Sequence, residues 1–218
     1  TRPACHLRRA EVFYELSEDL SRAELTLRAE LSQPGGGQVR WRLAGPDGEV
    51  VLERIAPAGA AAVALAGSLD RPRLWWPNGQ GEQALYRSTV ELLDGAGAAA
   101  GRIESRVGLR RVRLVMHEGA WEDPPAQQFP KTRSNPPITL EVNGRRVFCK
   151  GSNWVSPDIF PGRISPDRYR SLLTLARDAN MNLLRCWGGA IVQKDASFDL
   201  CDEMGLMVWQ EFPLACNR

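Results

Sequence analysis

The hydrophobic period of this chain changes partway along its 218 residues, and that change restricts the fold more than any other feature. Over residues 1–112 apolar side chains recur at every second position. Ala23-Glu-Leu25-Thr-Leu27-Arg-Ala29-Glu-Leu31 and Val39-Arg-Trp41-Arg-Leu43 both alternate apolar with polar residues. Successive side chains of a strand point to opposite faces, so this pattern marks strands with one buried face. Gln33-Pro34-Gly35-Gly36-Gly37 and Gly45-Pro46-Asp47-Gly48 lie at the breaks, where glycine permits positive φ and proline presets a corner. The same signals predict strands over 50–55, 61–65, 85–93 and 102–106, with alanine-rich filler at 58–64 and 96–100. Six or seven short strands at this spacing suggest an antiparallel sandwich with Trp41 in its core.

After residue 138 the pattern is of another kind. Ile138-Thr-Leu140-Glu-Val142, Asn143-Gly144 and Arg145-Arg-Val147-Phe148 read as a hairpin with an Asn-Gly turn. Ser165-Pro166 pairs an N-cap residue with proline in the first helical turn, and Tyr169, Leu172, Leu173, Ala176 and Ala179 follow at helical spacing. Leu183-Leu184-Arg185-Cys186-Trp187 is a second strand. Asp195 is a candidate cap for a second helix through Phe198, Cys201 and Met204, with Gly205 as its stop. Leu206-Met207-Val208-Trp209 is a continuous apolar run, as expected of a strand buried on both faces. The order is βαβαβ with a right-handed crossover, which makes residues 138–218 a second domain. Residues 113–137, with two Pro-Pro pairs, read as a long connecting loop between the two domains.

Composition narrows the chemistry. A net charge of +2 gives no basis for a nucleic-acid or membrane-surface partner. Lysine occurs only at 131, 150 and 194, so the basic residues are nearly all arginine, a coding bias rather than a binding patch. Five cysteines are an odd count with no zinc or redox spacing. Cys149, Cys186 and Cys201 sit among apolar neighbours and are expected in the core. A reducing compartment, the cytoplasm, is the simpler expectation. His6 and His117 have no partner at ligand spacing, and neither a phosphate-binding glycine loop nor a nucleophile elbow is present. No metal or organic cofactor is expected.

Several stretches resemble one family. Pro72-Arg-Leu-Trp75-Trp76-Pro77-Asn-Gly, Val107-Gly-Leu-Arg110, Asn143-Gly-Arg-Arg-Val-Phe-Cys-Lys150-Gly-Ser-Asn153-Trp154, Ala179-Asn-Met-Asn-Leu-Leu-Arg185-Cys-Trp187-Gly-Gly189 and Cys201-Asp-Glu-Met-Gly-Leu-Met-Val-Trp209-Gln-Glu211-Phe212 look, in that order and spacing, like the family 2 glycoside hydrolases. Arg-x-Trp-Gly-Gly with Val-Trp-Gln-acid-Phe points to the β-mannosidase branch. The resemblance implies an immunoglobulin-like β-sandwich followed by an incomplete (β/α)8 barrel of βαβαβ order. It also implies that the family's acid/base and nucleophile glutamates, which follow its fourth and seventh barrel strands, lie beyond Arg218.

The site residues this resemblance suggests are all substrate-binding, with none catalytic. Glu211 ends the third barrel strand, where active-site groups gather. It stands where the branch usually has aspartate, and it is either a sugar-hydroxyl contact or a brace for its neighbours. Trp187 precedes two glycines and offers an indole to the apolar face of a pyranose, with a core tryptophan as the alternative. Arg185 shares its face and either orients carboxylates or forms an internal ion pair. Asn153, Trp154 and Asp158 are expected in the loop after the first barrel strand, as site wall or plain loop. Trp75 and Trp76 read as sandwich packing and interdomain contact, with a sugar platform as the alternative.

The implied activity is retaining, exo-acting hydrolysis of terminal β-D-mannosyl residues, with an oligosaccharide or glycoside as partner. The alternatives are the same chemistry on a β-glucosaminide, β-galactoside or β-glucuronide, or a non-catalytic sandwich module. An unclosed barrel edge would favour self-association.

Overall fold

The computed structural model describes residues 5–118 and 138–215. The chain divides into two compact units, Thr1–Trp75 with Ala84–Leu109, and Trp76–Gln83 with Arg110–Arg218. It is mostly β, with two α-helices among the described residues.

The first unit is the sandwich. Its strands are β1 (Leu7–Leu16), β2 (Arg22–Leu31), β3 (Gln38–Ala44), β4 (Val50–Pro57), β5 (Ala62–Asp70), β6 (Tyr86–Leu93) and β7 (Ala99–Val107). They form two antiparallel sheets, in the orders β1-β2-β5 and β4-β3-β6-β7. The alternation puts Ala23, Leu25, Leu27, Ala29 and Leu31 of β2 into the same core as Val39, Trp41 and Leu43 of β3. Trp41 is fully buried, and its indole N–H donates to Ser88 Oγ at 3.1 Å, so the ring enters the core without leaving a polar atom unpaired.

Strand β1 has no counterpart among the strands predicted from sequence. It is an edge strand, so its alternation is blurred by charged residues. Arg9 pairs with Glu11, and Arg28 of β2 lies 4.8 Å from the centre of the exposed Phe13 ring. Charges along an edge discourage pairing with another chain.

The second unit begins with a three-stranded antiparallel sheet of β8 (Val112–Met116), β9 (Ile138–Val142) and β10 (Arg145–Val147), in the order β10-β9-β8. Residues 113–116 are therefore strand where a loop was expected, because Arg113 and Leu114 register against Glu141 and Leu140. The rest of that connecting segment, 119–137, lies outside the described residues. Asn143 and Gly144 both have positive φ, 49° and 79°, which a two-residue hairpin turn requires and which asparagine and glycine tolerate.

Next come β11 (Gly151–Trp154), α1 (Pro166–Asp178), β12 (Leu183–Cys186), α2 (Asp195–Met204) and β13 (Met207–Gln210). The three strands are parallel, in the order β11-β12-β13. Ser165 caps α1 by accepting the Arg168 N–H at 3.2 Å. Asp195 is the first residue of α2 instead of its cap. The N-cap is Lys194, which makes no side-chain capping bond, and Gly205 ends the helix at φ 72°. One face of the sheet packs Leu184 and Val208 against Tyr169, Leu173, Ala176, Leu200, Cys201 and Met204 of the helices. Burial pushes the Cys186 thiol up to about 11 and the Cys201 thiol to about 12, so both stay protonated at neutral pH. Cys149 is exposed, contrary to its apolar sequence neighbours, because it lies in the link between β10 and β11 rather than under a helix.

Trp75 and Trp76 part company. Trp75 is buried, and its N–H donates to Leu109 O at 2.9 Å. Trp76 belongs to the second unit, where the Arg145 guanidinium lies 4.4 Å from the centre of its ring. In the same segment Asn78 donates from Nδ2 to Arg177 O and Met181 O, and from its backbone N–H to Gly205 O at 2.8 Å. It thereby satisfies carbonyls left open where both helices end.

Asn182, with no exposed surface, joins the starts of all three parallel strands. Its Oδ1 accepts the Lys150 N–H at 2.8 Å, its Nδ2 donates to Phe148 O at 3.1 Å, and its backbone O accepts the Met207 N–H at 2.8 Å. Asn182→Ala should lower stability in denaturant unfolding by about 1–3 kcal/mol, the cost of leaving buried backbone groups unpaired. Hydrogen exchange should accelerate first at Lys150, whose N–H loses its Oδ1 acceptor, with the sandwich unaffected. Equal acceleration in both units would refute this local role.

Candidate functional site

The C-terminal ends of β11, β12 and β13 carry a connected set of polar side chains. Asn153 registers against Arg185, and Arg185 against Trp209, so the three share the sheet face opposite the helices. Arg185 spans the row. Its Nη1 donates to Asn153 Oδ1 at 2.8 Å, and its Nε and Nη2 lie 2.8 and 2.5 Å from Glu211 Oε1. The other carboxylate oxygen, Glu211 Oε2, accepts the Gly188 N–H at 2.8 Å.

These contacts keep Glu211 ionised. The Gly188 N–H holds its carboxyl below the ordinary glutamate value, and the Arg185 hydrogen bond and charge add to this against the opposing effect of partial burial. Gly188 is needed for the geometry, since a Cβ there would lie 2.6 Å from Phe212 O and 3.1 Å from Glu211 Oε2. Trp187 is half-buried, and its indole lies so close to Gly189 that a Cβ would sit 2.2 Å from the ring. The two glycines thus let a carboxylate and an indole approach the same short loop.

Of the six residues singled out in the sequence, Arg185, Glu211 and Asn153 form one hydrogen-bonded set. Trp187 is tied to the neighbouring strand by its backbone N–H, which meets Trp154 O at 3.3 Å. Asn153 and Trp154 lie within β11 rather than in the loop after it, because they pair with Arg185 and Cys186 of β12. Trp154 packs on the helix-side core, away from the Arg185 face, and its buried Nε1 has no hydrogen-bond partner among the described residues. Asp158 makes a local turn, its Oδ1 accepting the Phe160 N–H at 2.8 Å.

Trp209 was not singled out in the sequence. It is 58% exposed, with the Arg185 guanidinium 5.9 Å from its ring centre. Its apolar neighbours masked it, since a continuous apolar run predicts burial on both faces. The available signal was its two-residue offset from Glu211. The face therefore presents an ionised carboxylate, a guanidinium, an amide and an open aromatic ring. Such a set suits a ligand rich in hydroxyls that also has an apolar face.

Residues 5–110 match the glycosyl hydrolases family 2. Beta-mannosidase B of Thermothelomyces thermophilus is 33% identical over 206 residues, 93% of this chain and 22% of that protein. Beta-mannosidase of Capra hircus is 41% identical over 164 residues, 72% of this chain and 17% of that protein. The chain thus spans about a fifth of the length of these relatives. The crystal structure of β-D-mannosidase from Dictyoglomus thermophilum superposes with a TM-score of 0.77 at 32% identity, covering 96% of this chain and 24% of that one. A β-glucuronidase from Parabacteroides merdae superposes at 0.76 with 18% identity and 97% coverage of this chain, a likeness of fold alone.

A group whose folded pKa is depressed contributes stability above its unfolded value, about 4.3 for glutamate, and loses it as pH falls through the folded value. A carboxyl NMR titration should place the Glu211 midpoint below that value, and Arg185→Gln should move it upward. A Glu211 midpoint unaffected by Arg185→Gln would show that the pair does not form in solution.

Proposed function

This chain belongs to the family 2 glycosyl hydrolases, and on that premise we propose that it is part of a retaining exo-glycosidase that removes terminal β-D-mannosyl residues. The observation that carries this reading is the Asn153–Arg185–Glu211 set at the C-terminal ends of three parallel strands, the end of a βα barrel at which active sites form. In this proposal the β11–α1–β12–α2–β13 segment is the opening portion of a (β/α)8 barrel. The sandwich is the family's immunoglobulin-like domain.

Retaining glycosidases use two carboxyl groups about 5–5.5 Å apart, one as nucleophile and one, with a raised pKa, as acid/base. Glu211 fits neither role. Its lowered pKa is wrong for the acid/base, and the bonds to Arg185 and Gly188 hold the carboxylate against its own sheet rather than free to attack. Oε2, with one bond from Gly188, has a lone pair left for a hydroxyl. In the proposed enzyme it accepts a hydrogen bond from a sugar hydroxyl and holds Arg185, while Arg185 orients groups supplied by the rest of the whole protein. The catalytic pair belongs to sequence outside this chain, and no metal or organic cofactor takes part. Trp187 stacks on the apolar face of the mannosyl ring, and Asn153 is a second hydrogen-bonding group of the same wall.

The isolated chain should therefore turn over no aryl β-glycoside. The whole protein should hydrolyse aryl β-mannoside in preference to the β-glucuronide, β-galactoside and β-glucosaminide, and the first product seen by NMR should be β-mannose. A β-glucuronide preference, or α-mannose as first product, would defeat the proposal.

Trp187→Ala in the whole protein should reduce kcat/KM by about tenfold to a thousandfold, the range set by lost stacking and positioning. Normal kinetics with a collapsed melting temperature would make Trp187 a packing residue only.

A further inference from the structure

Two loops leave the sheet at the end that carries Arg185 and Glu211. One follows β11 and runs from Val155 to Ser165, and the other follows β12 and runs from Trp187 to Lys194. Neither has regular structure beyond a short 3-10 turn at Pro161–Arg163. Backbone bonds close a turn within each loop, Ile164 N–H to Pro161 O in the first and Ala190 N–H to Trp187 O in the second. Beyond the Trp187 N–H on Trp154 O, the contacts that run from one loop to the other come from side chains.

Besides the backbone bonds of its 3-10 turn, the first loop is ordered from within by side-chain contacts. Asp158 accepts the Phe160 N–H, and the Arg163 guanidinium lies 6.0 Å from the centre of the Phe160 ring. Its far end is held from the second loop. Lys194 Nζ donates to Ile164 O at 2.8 Å and lies 3.5 Å from Gly162 O. These carbonyls lie at the C-terminal end of the 3-10 turn, which is itself closed by the Ile164 N–H on Pro161 O. Gln193 makes a parallel tie beneath. Only 4% exposed, it accepts the Tyr169 O–H of α1 at 3.1 Å through Oε1 and donates to Ile191 O at 3.0 Å through Nε2. Consecutive residues at the end of one loop therefore grip both the end of the other loop and the helix that follows it.

From this geometry we propose that Lys194, backed by Gln193, is a positioning residue that joins the loops after β11 and β12 into one wall and thereby sets the place of Trp187. The inference rests on the glycosidase reading above for its effect on substrate, but not for the clamp itself. Lys194 touches no reacting group. It acts by fixing the downstream end of the loop that starts with Trp187, so that the indole does not have to be ordered when a sugar arrives. The preorganisation cost removed in this way is paid in binding, so it should appear in KM more than in kcat.

The test uses the whole protein with Lys194→Met, which keeps much of the apolar stem and removes the donor, and Lys194→Arg, which retains a cationic donor. Hydrogen exchange should accelerate at residues 159–164 in Lys194→Met, while β12 and the sandwich exchange as in the parent. KM for aryl β-mannoside should rise about three- to thirtyfold with kcat nearly unchanged, and Lys194→Arg should recover most of both effects. Unchanged exchange at 159–164 would show that there is no clamp. Faster exchange with unaltered KM would show that the wall does not position Trp187. If the parent protein fails to hydrolyse aryl β-mannoside at all, the glycosidase reading has failed, and the exchange measurement decides the clamp alone.

Discussion

Parallel strands are not joined by hairpins, so their register must be set by something other than a turn. In the second unit Asn182 supplies much of it. Its side-chain amide binds Phe148 O and the Lys150 N–H ahead of β11, and its backbone binds Lys150 and Met207. Asparagine suits this role because one planar group offers both a donor and an acceptor to extended backbone. Asn182 itself is fully buried, so leaving one of these bonds unmade is costly. Asn78 and Asn143 do comparable work elsewhere in the unit. Asn78 binds carbonyls at the helix ends, and Asn143 exchanges bonds with Arg111 through Oδ1 and its backbone.

Once the register is fixed, side-chain parity places the polar groups. Leu184, Cys186 and Val208 point to the helices, so Arg185 and Trp209 must point the other way. Arg185 then reaches a carboxylate on one side and an amide on the other because adjacent strands lie only about 4.8 Å apart. A one-residue slip would move Arg185 into the helix-side core and Leu184 onto the open face. The site is in this sense a consequence of the strand starts, held at the far end of the sheet by Asn182.

The physical limits of sequence reasoning show at particular residues. Strict alternation identified β2 and β3, because both lie inside a sheet with one face in the core. It did not identify β1, whose edge position needs charge as much as burial. Asn143-Gly144 fixed the β9–β10 turn by local backbone preference, and Ser165-Pro166 fixed the start of α1 in the same way. Asp195 was a plausible cap by type, yet it entered the helix, since type alone does not say where a chain turns. Trp209 and Cys149 were misplaced for one common reason. Apolar neighbours in sequence do not decide which neighbours a side chain has in space.

The sequence by itself determined the two structural periods, the turns, the helix stop at Gly205 and the types of residue at the strand ends. These depend on local sterics and on which side chains prefer water, both of which act over a few residues. Only the tertiary structure decided that Asn153, Arg185 and Glu211 meet while Trp154 and Asp158 do not. It alone decided that Trp76 leaves Trp75 for the other unit, and that Lys194 reaches back to Ile164. The side-chain pairings among these join residues some 26 to 32 positions apart through one or two hydrogen bonds each. Such bonds depend on the relative placement of whole strands and helices, which no local propensity encodes.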